Sequence, residues 1–141
     1  MKNTEDFFNE LNSAHSEGSL DRIISDPDIN HDRFHIYFCS ILDSRGIDKK
    51  ELVKRLNLSR TYIYQMLNGT RLPGRDNTLA LCVSGTFDLT ETNHCLTLIK
   101  ASALYPKDTR DAVIIYGINN KLSIDDLNVL LIKKDMKPLT E

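Results

Sequence analysis

Residues 46–73 read GIDKKELVKRLNLSRTYIYQMLNGTRLP, and their spacing predicts two short helices joined by a turn of three or four residues. Asp48 is placed to cap the first helix, with Glu51 three residues on to complete a capping box and Ile47 ahead of it as a hydrophobic staple. Leu52, Val53 and Leu56 then share one helical face. Ser59 caps the second helix, whose inward stripe is Ile63, Met66 and Leu67 at i, i+3, i+4. Asn68-Gly69 stops it, because glycine enters the left-handed conformation of a helix end without a Cβ clash. Arg60, Thr61, Tyr64, Gln65 and Asn68 are left facing outward, with Tyr62 on the border. Long donors and acceptors on one helix suit the reading of base edges in a major groove.

The stretch resembles the helix-turn-helix of the Xre or phage-repressor (lambda-repressor-like) family. The matching landmarks are Gly46, Glu51-Leu52, Leu56, Ser59, Ile63, Asn68-Gly69 and Pro73. Two positions depart from the family pattern. Lys49 stands where the family often has Gln, so it keeps reach to a phosphate but lacks the amide that braces a base contact. Leu67 stands where a Glu is common, and can bury. The resemblance implies an all-α, lambda-repressor-like bundle that binds double-stranded DNA and regulates transcription, the second motif helix entering the major groove N-terminus first. Carried over residue by residue, it implies base contacts from Arg60, Thr61, Tyr64 and Gln65, and phosphate contacts from Lys49, Ser59, Asn68 and Arg71. One such domain offers few contacts, so a homodimer on a near-palindromic site is expected.

Charge distribution agrees with that expectation. The net charge is −2, yet residues 44–75 hold Arg45, Lys49, Lys50, Lys54, Arg55, Arg60, Arg71 and Arg75 against Asp48 and Glu51 alone. This local +6 leaves −8 for the remainder, as expected if one face meets phosphate and the rest repels it. The bland alternative is a solvated helix face laced with ion pairs.

The flanks divide the chain into three. Residues 1–30 form an N-terminal extension, with Phe7, Phe8 and Leu11 on one short helix and Leu20, Ile23 and Ile24 on a second. A polar link joins them, and Asp26-Pro27-Asp28 ends the segment. The extension is expected to pack on the domain, with partner binding as the alternative. Residues 31–89 form the domain of four or five helices. Its first helix spans about 32–45 and buries Phe34, Phe38, Ile41 and Leu42, broadened by Ile36 and Tyr37. A helix over 75–84 follows, with Leu79 and Val83 inward, and Phe87 and Leu89 close the core. Residues 90–141 form a C-terminal helical extension that packs on the domain or mediates dimerisation.

Within that extension, residues 89–100 resemble 122–133 at an offset of 33, each a staple, a cap and an amphipathic helix, with Ser123 and Asp126 as a capping box. Residues 112–116 are β-branched enough for a buried strand, but no second strand exists to pair with it. A helix beginning near Asp108 or Thr109, after a turn at Tyr105-Pro106, is the better reading. It buries either within the chain or in a dimer interface. Lys133, Lys134 and Lys137 suit the end of the last helix.

Composition narrows the function classes. A hydrophobic content of 40% and a charged content of 27% are ordinary for a globular chain with a real core. No apolar run approaches a membrane span, and the acidic N-terminus does not read as a signal peptide. Cys39, Cys82 and Cys95 lack ligand or pairing spacing and read as reduced thiols of a cytoplasmic protein. His15, His31, His35 and His94 have no partner at metal-ligand spacing. No cofactor is expected. With no Ser/His/Asp set, phosphate loop or metal cluster, an enzyme is not expected either. A helical protein-interaction module on the same fold remains the second hypothesis.

Overall fold

The computed structural model describes residues 3–25 and 33–141, and every regular element among them is a helix. Asp26-Pro27-Asp28, His31 and the expected start of the domain at residues 31 and 32 lie outside the described residues. None of the described helices is long and apolar enough to cross a membrane.

Two short helices, α1 (Thr4–Ser13) and α2 (Glu17–Ile24), form a hairpin. Asn3 and Asp6 exchange side-chain and backbone hydrogen bonds in a capping box, and Ser16 caps α2. None of the hairpin's described apolar residues joins the core, and Phe8 is 62% exposed.

The core runs without a break from Phe34 to Leu139. Helix α3 (Phe34–Ser44) buries Phe34, Phe38 and Leu42; Ile41 is only half-buried, and Ile36 faces out. Phe38 stacks between Phe34 and Phe87 at centroid distances of 5.4 and 4.7 Å. The next helix, α4 (Lys49–Arg55), is capped by Asp48. The expected capping box is one-sided, because the Glu51 carboxylate pairs with Arg55 at 3.3 Å. Residues 56–59 lead to α5 (Arg60–Leu67), capped by Ser59 and anchored by the buried Ile63, Met66 and Leu67. Gly69 ends it at φ +86°. A Cβ there would come within 2.7 Å of the His35 ring, so the position requires glycine for both backbone and space.

Helix α6 (Arg75–Ser84) is more central than an amphipathic reading implies. All residues from Thr78 to Ser84 are buried, because α4 packs on one side while α7 (Leu89–Leu98) and α9 (Ile124–Lys133) pack on others. Between those two, α8 (Thr109–Asn119) buries Ile114, Gly117 and Ile118 inside the chain, though Tyr116 remains exposed. The stretch 112–118 is thus helical and is covered mainly by its own chain.

The internal similarity holds at an offset of 35, not 33. Arg75-Asp76 corresponds to Arg110-Asp111, and the two pairs are exchanged. Arg75 binds Asp111 at 2.9 Å, and Arg110 binds Asp76 at 2.8 Å. Each guanidinium also donates to carbonyls of its own repeat, Arg75 to Ser102 and Ala103, Arg110 to Lys137 and Pro138. Asn93 and Asn128 accept from the amides of Leu104 and Leu139 in turn. The N-caps Asp88 and Ser123 correspond as well. Asp88 and Glu91 form a full capping box, whereas Ser123 and Asp126 form half of one. Helix α9 closes at Lys133 with Lys134 as its cap, so Lys137 lies beyond it in the strap that Arg110 holds.

Among the described residues, four helices end on non-glycine residues in the left-handed region: Thr86 (φ 58°), Lys100 (60°), Lys121 (54°) and Asp135 (60°). After each, the next amide reaches back to a carbonyl of the helix, as from Phe87 to Cys82 and from Leu122 to Gly117. This 6→1 bond closes the end despite the Cβ crowding.

Two stability experiments follow from this packing. Burial pushes the Asp111 carboxyl up, but hydrogen bonds from Arg75 and the Tyr105 amide, with the charges of Arg75 and Arg110, outweigh it and hold it below its ordinary 3.8. A lowered folded value contributes stability that is complete above the unfolded pKa and is lost as pH falls through the folded one. Arg75→Ala should therefore destabilise by about 2–3 kcal/mol at pH 7, and much less in an Asp111→Ala background. The gap between the native chain and Asp111→Asn in urea titrations should shrink as pH falls below 3.8. Gly69→Ala should cost about 1–2 kcal/mol from the left-handed backbone alone, and His35→Ala should recover only the added steric part.

Candidate nucleic-acid interface

The outward face of α5 is built from beneath. Ile63, Met66 and Leu67 fix its rotation in the core, which leaves Arg60 and Thr61 exposed and Tyr64 and Gln65 half-buried. Ser59 Oγ accepts from the Tyr62 amide at 3.1 Å; its own hydroxyl proton remains able to donate to an anion. No acidic residue lies within α5, so its positive N-terminal end keeps its field.

Side chains on this face brace one another. The Arg60 guanidinium lies 5.6 Å from the Tyr64 ring centre, and Arg71 lies 5.3 Å from that of Tyr62. Such stacking is worth about 0.5–1 kcal/mol at exposed sites and orients an arginine without neutralising it. The border residue Tyr62 packs against the core and accepts from Asn77 Nδ2 at 2.9 Å through its hydroxyl. It supports Arg71 and is turned away from the outer face. Asn68 Oδ1 accepts from the Thr70 amide at 2.9 Å, and the Arg71 amide donates to the Gln65 carbonyl. Lys49, at the start of α4, is exposed and borders a depression of about 370 Å³ together with Tyr64, Lys50, Asp43 and Asp48. Lys50, missed as a candidate, thus borders the same depression as Lys49 and Tyr64, and its place beside Lys49 in the sequence was the available signal.

The basic stretch is less uniform than its sequence implies. Arg45 pairs with Glu91 at 2.6 Å, Arg55 pairs with Glu51 and donates to the Ser84 carbonyl at 2.8 Å, and Arg75 is committed to Asp111. Those three arginines hold the fold together. Lys49, Lys50, Arg60 and Arg71, with Lys54 farther along α4, form no ion pair among the described residues. The free charge lies on α4, α5 and the segment after α5, a smaller surface than the count of +6 suggests.

The chain's own end does not cover α5. Asn57, in the connector before it, donates to the Glu141 carbonyl, while Leu139 and Thr140 bury. Arg60 and Thr61 stay open to solvent. Cys39 donates its S–H to the Leu67 carbonyl, and Cys82 and Cys95 are buried free thiols. His94 meets Tyr37 edge-on at 4.4 Å, a packing role. Among the described residues, no group of three or more His, Cys, Asp or Glu could hold a metal ion. Set against family models, curated proteins and solved structures, the chain matches none of them.

Proposed function

We propose that this chain is a sequence-specific, double-stranded-DNA-binding transcriptional regulator of the lambda-repressor-like helix-turn-helix type. In this reading α4 and α5 are the motif and α5 lies in the major groove. The observation that supports it most is the combination on α5 of a capped N-terminus, the absence of any carboxylate, and exposed Arg60 and Thr61 above a fully buried apolar underside. Arg60, pre-oriented on Tyr64, pairs with guanine; Gln65 pairs with adenine; Thr61 and Tyr64 meet a thymine methyl or a phosphate. Lys49, Ser59, Asn68 and Arg71 hold the backbone on either side, Arg71 resting on Tyr62. Two copies bind together, since a single eight-residue helix makes too few base contacts for tight specific binding.

A second reading, a helical protein-interaction module, draws on the α1–α2 hairpin, where Phe8, Leu11, Leu20 and Ile24 are all at least 40% exposed. The two readings differ in salt dependence. DNA binding releases counterions and weakens steeply as salt rises; an apolar protein contact does not.

Selection from a random duplex pool tests the proposal. The pool should converge on a near-palindromic site. Arg60→Ala and Gln65→Ala should each relax one separate position, with a loss of about 1–3 kcal/mol in discrimination there. Lys49→Ala should weaken all sequences alike and lower the salt slope by about one. Failure of the pool to converge at low salt, or identical behaviour of the three variants, contradicts the assignment.

A further inference from the structure

The exchanged Arg–Asp pairs relate the two repeats as by a local two-fold, with α6 on α9 and α7 on α8 as its matching contacts. Among the described residues, the first repeat alone carries a further layer of helices. Helix α4 packs on α6, and α3 packs on α7, where Tyr37 meets His94 edge-on and Arg45 binds Glu91. At the offset of 35, His94 corresponds to Val129, Glu91 to Asp126 and Leu81 to Tyr116. Leu81 is fully buried, whereas Tyr116 and Val129 are 56% and 64% exposed. Ile132, one turn beyond Val129, is exposed as well, and Asp126 forms no ion pair among the described residues. The second repeat thus leaves bare the face that a pair of helices covers in the first.

A pair of helices with nothing to pack on lies in the same chain. Helices α1 and α2 have 10 and 8 residues, close to the 11 and 7 of α3 and α4. Helices this short are marginal in water unless an apolar face is packed. Neither has a buried residue, and Phe8, Leu11, Leu20 and Ile24 are exposed. Phe7-Phe8-x-x-Leu11 also repeats the pattern of Tyr37-Phe38-x-x-Ile41 in the helix that covers the first repeat. The charges are complementary. Glu5, Asp6, Glu10, Glu17 and Asp21 outnumber Arg22 on the hairpin. Lys133 and Lys134 follow Ile132 at the end of α9, exposed and without an ion pair among the described residues.

We propose that the α8–α9 face of one copy receives the α1–α2 hairpin of a second copy. Phe8 covers Val129 and Ile132, Arg22 takes the part of Arg45 at Asp126, and the hairpin carboxylates meet Lys133 and Lys134. Each copy gives a hairpin and has a face to receive one, so the exchange closes as a two-fold dimer with two identical contacts. This contact gives the hairpin of the interaction-module reading its partner. It also supplies the second copy of the DNA-binding reading without using any residue of α4 or α5.

Sedimentation of the full chain without DNA tests the contact. The native chain should be a dimer at micromolar concentration. Phe8→Glu and Val129→Glu should each raise the dimer dissociation constant by about tenfold or more, since a charge then sits at the centre of both contacts. The two variants mixed should associate again, because the hairpin of one and the face of the other are intact and restore one contact of the two. That recovery also shows that neither variant is misfolded. A monomeric native chain, including one whose hairpin folds back on its own α9, overturns the proposal and leaves DNA binding by α5 untouched. A dimer that survives either substitution, or variants that stay monomeric when mixed, places the contact elsewhere and overturns it as well.

Discussion

The exchange of Arg75 and Arg110 between Asp111 and Asp76 is the contact on which the rest of the molecule depends. Each arginine joins three things: its own helix N-terminus, the strap that follows its own repeat, and the aspartate of the other repeat. Partly buried charges are tolerated only when nearly every donor and lone pair is used, and here the two guanidiniums reach both carboxylates and four carbonyls. The result ties the N-terminal ends of α6 and α8 to each other. With α6 fixed, α7 and α9 cover its remaining faces, which is why a helix with so little amphipathic contrast can be buried throughout.

That buried helix is also the floor beneath α4 and α5. Leu52 and Leu56 from α4 and Ile63, Met66 and Leu67 from α5 share one core with α6, and Asn77 of α6 reaches Tyr62 of α5 directly. A rigid floor matters for recognition because base-reading side chains need a helix whose rotation is already set. The proposed DNA surface is therefore the outer layer of a structure whose inner layer is the repeat pair. Cations serve both layers, and ion pairing separates them: Arg45, Arg55 and Arg75 meet carboxylates, Arg45 lying over the Phe87 ring as well, while Arg60 and Arg71 meet aromatic rings without a carboxylate.

Much of the all-α architecture was readable from local signals. Helices α3 to α6 begin and end close to where apolar spacing, Asp48, Ser59 and Gly69 place them, because caps and period are short-range properties. Long-range features were not readable in the same way. Hydrophobic pattern alone places the repeat at 33, aligning Leu89-Thr90 with Leu122-Ser123; the offset of 35 is carried by Arg-Asp, Asn93 with Asn128, and Leu104 with Leu139, whose importance appears only once they bond. Helix ends at Thr86, Lys100, Lys121 and Asp135 lack the expected glycine, so composition gives no stop signal. On the candidate interface, the positions of Arg60 and Thr61 followed from the inward stripe, but the bracing by Tyr62 and Tyr64 and the internal use of three arginines depend on tertiary neighbours.

The most direct measurement of the central claim is hydrogen–deuterium exchange of the full chain, alone and bound to a duplex recovered by selection. Binding through α5 predicts added protection in peptides spanning residues 48–72, with α8 and α9 unchanged. Protection confined to α7–α9 or to the α1–α2 hairpin, with residues 59–68 exchanging as in the free chain, would contradict it.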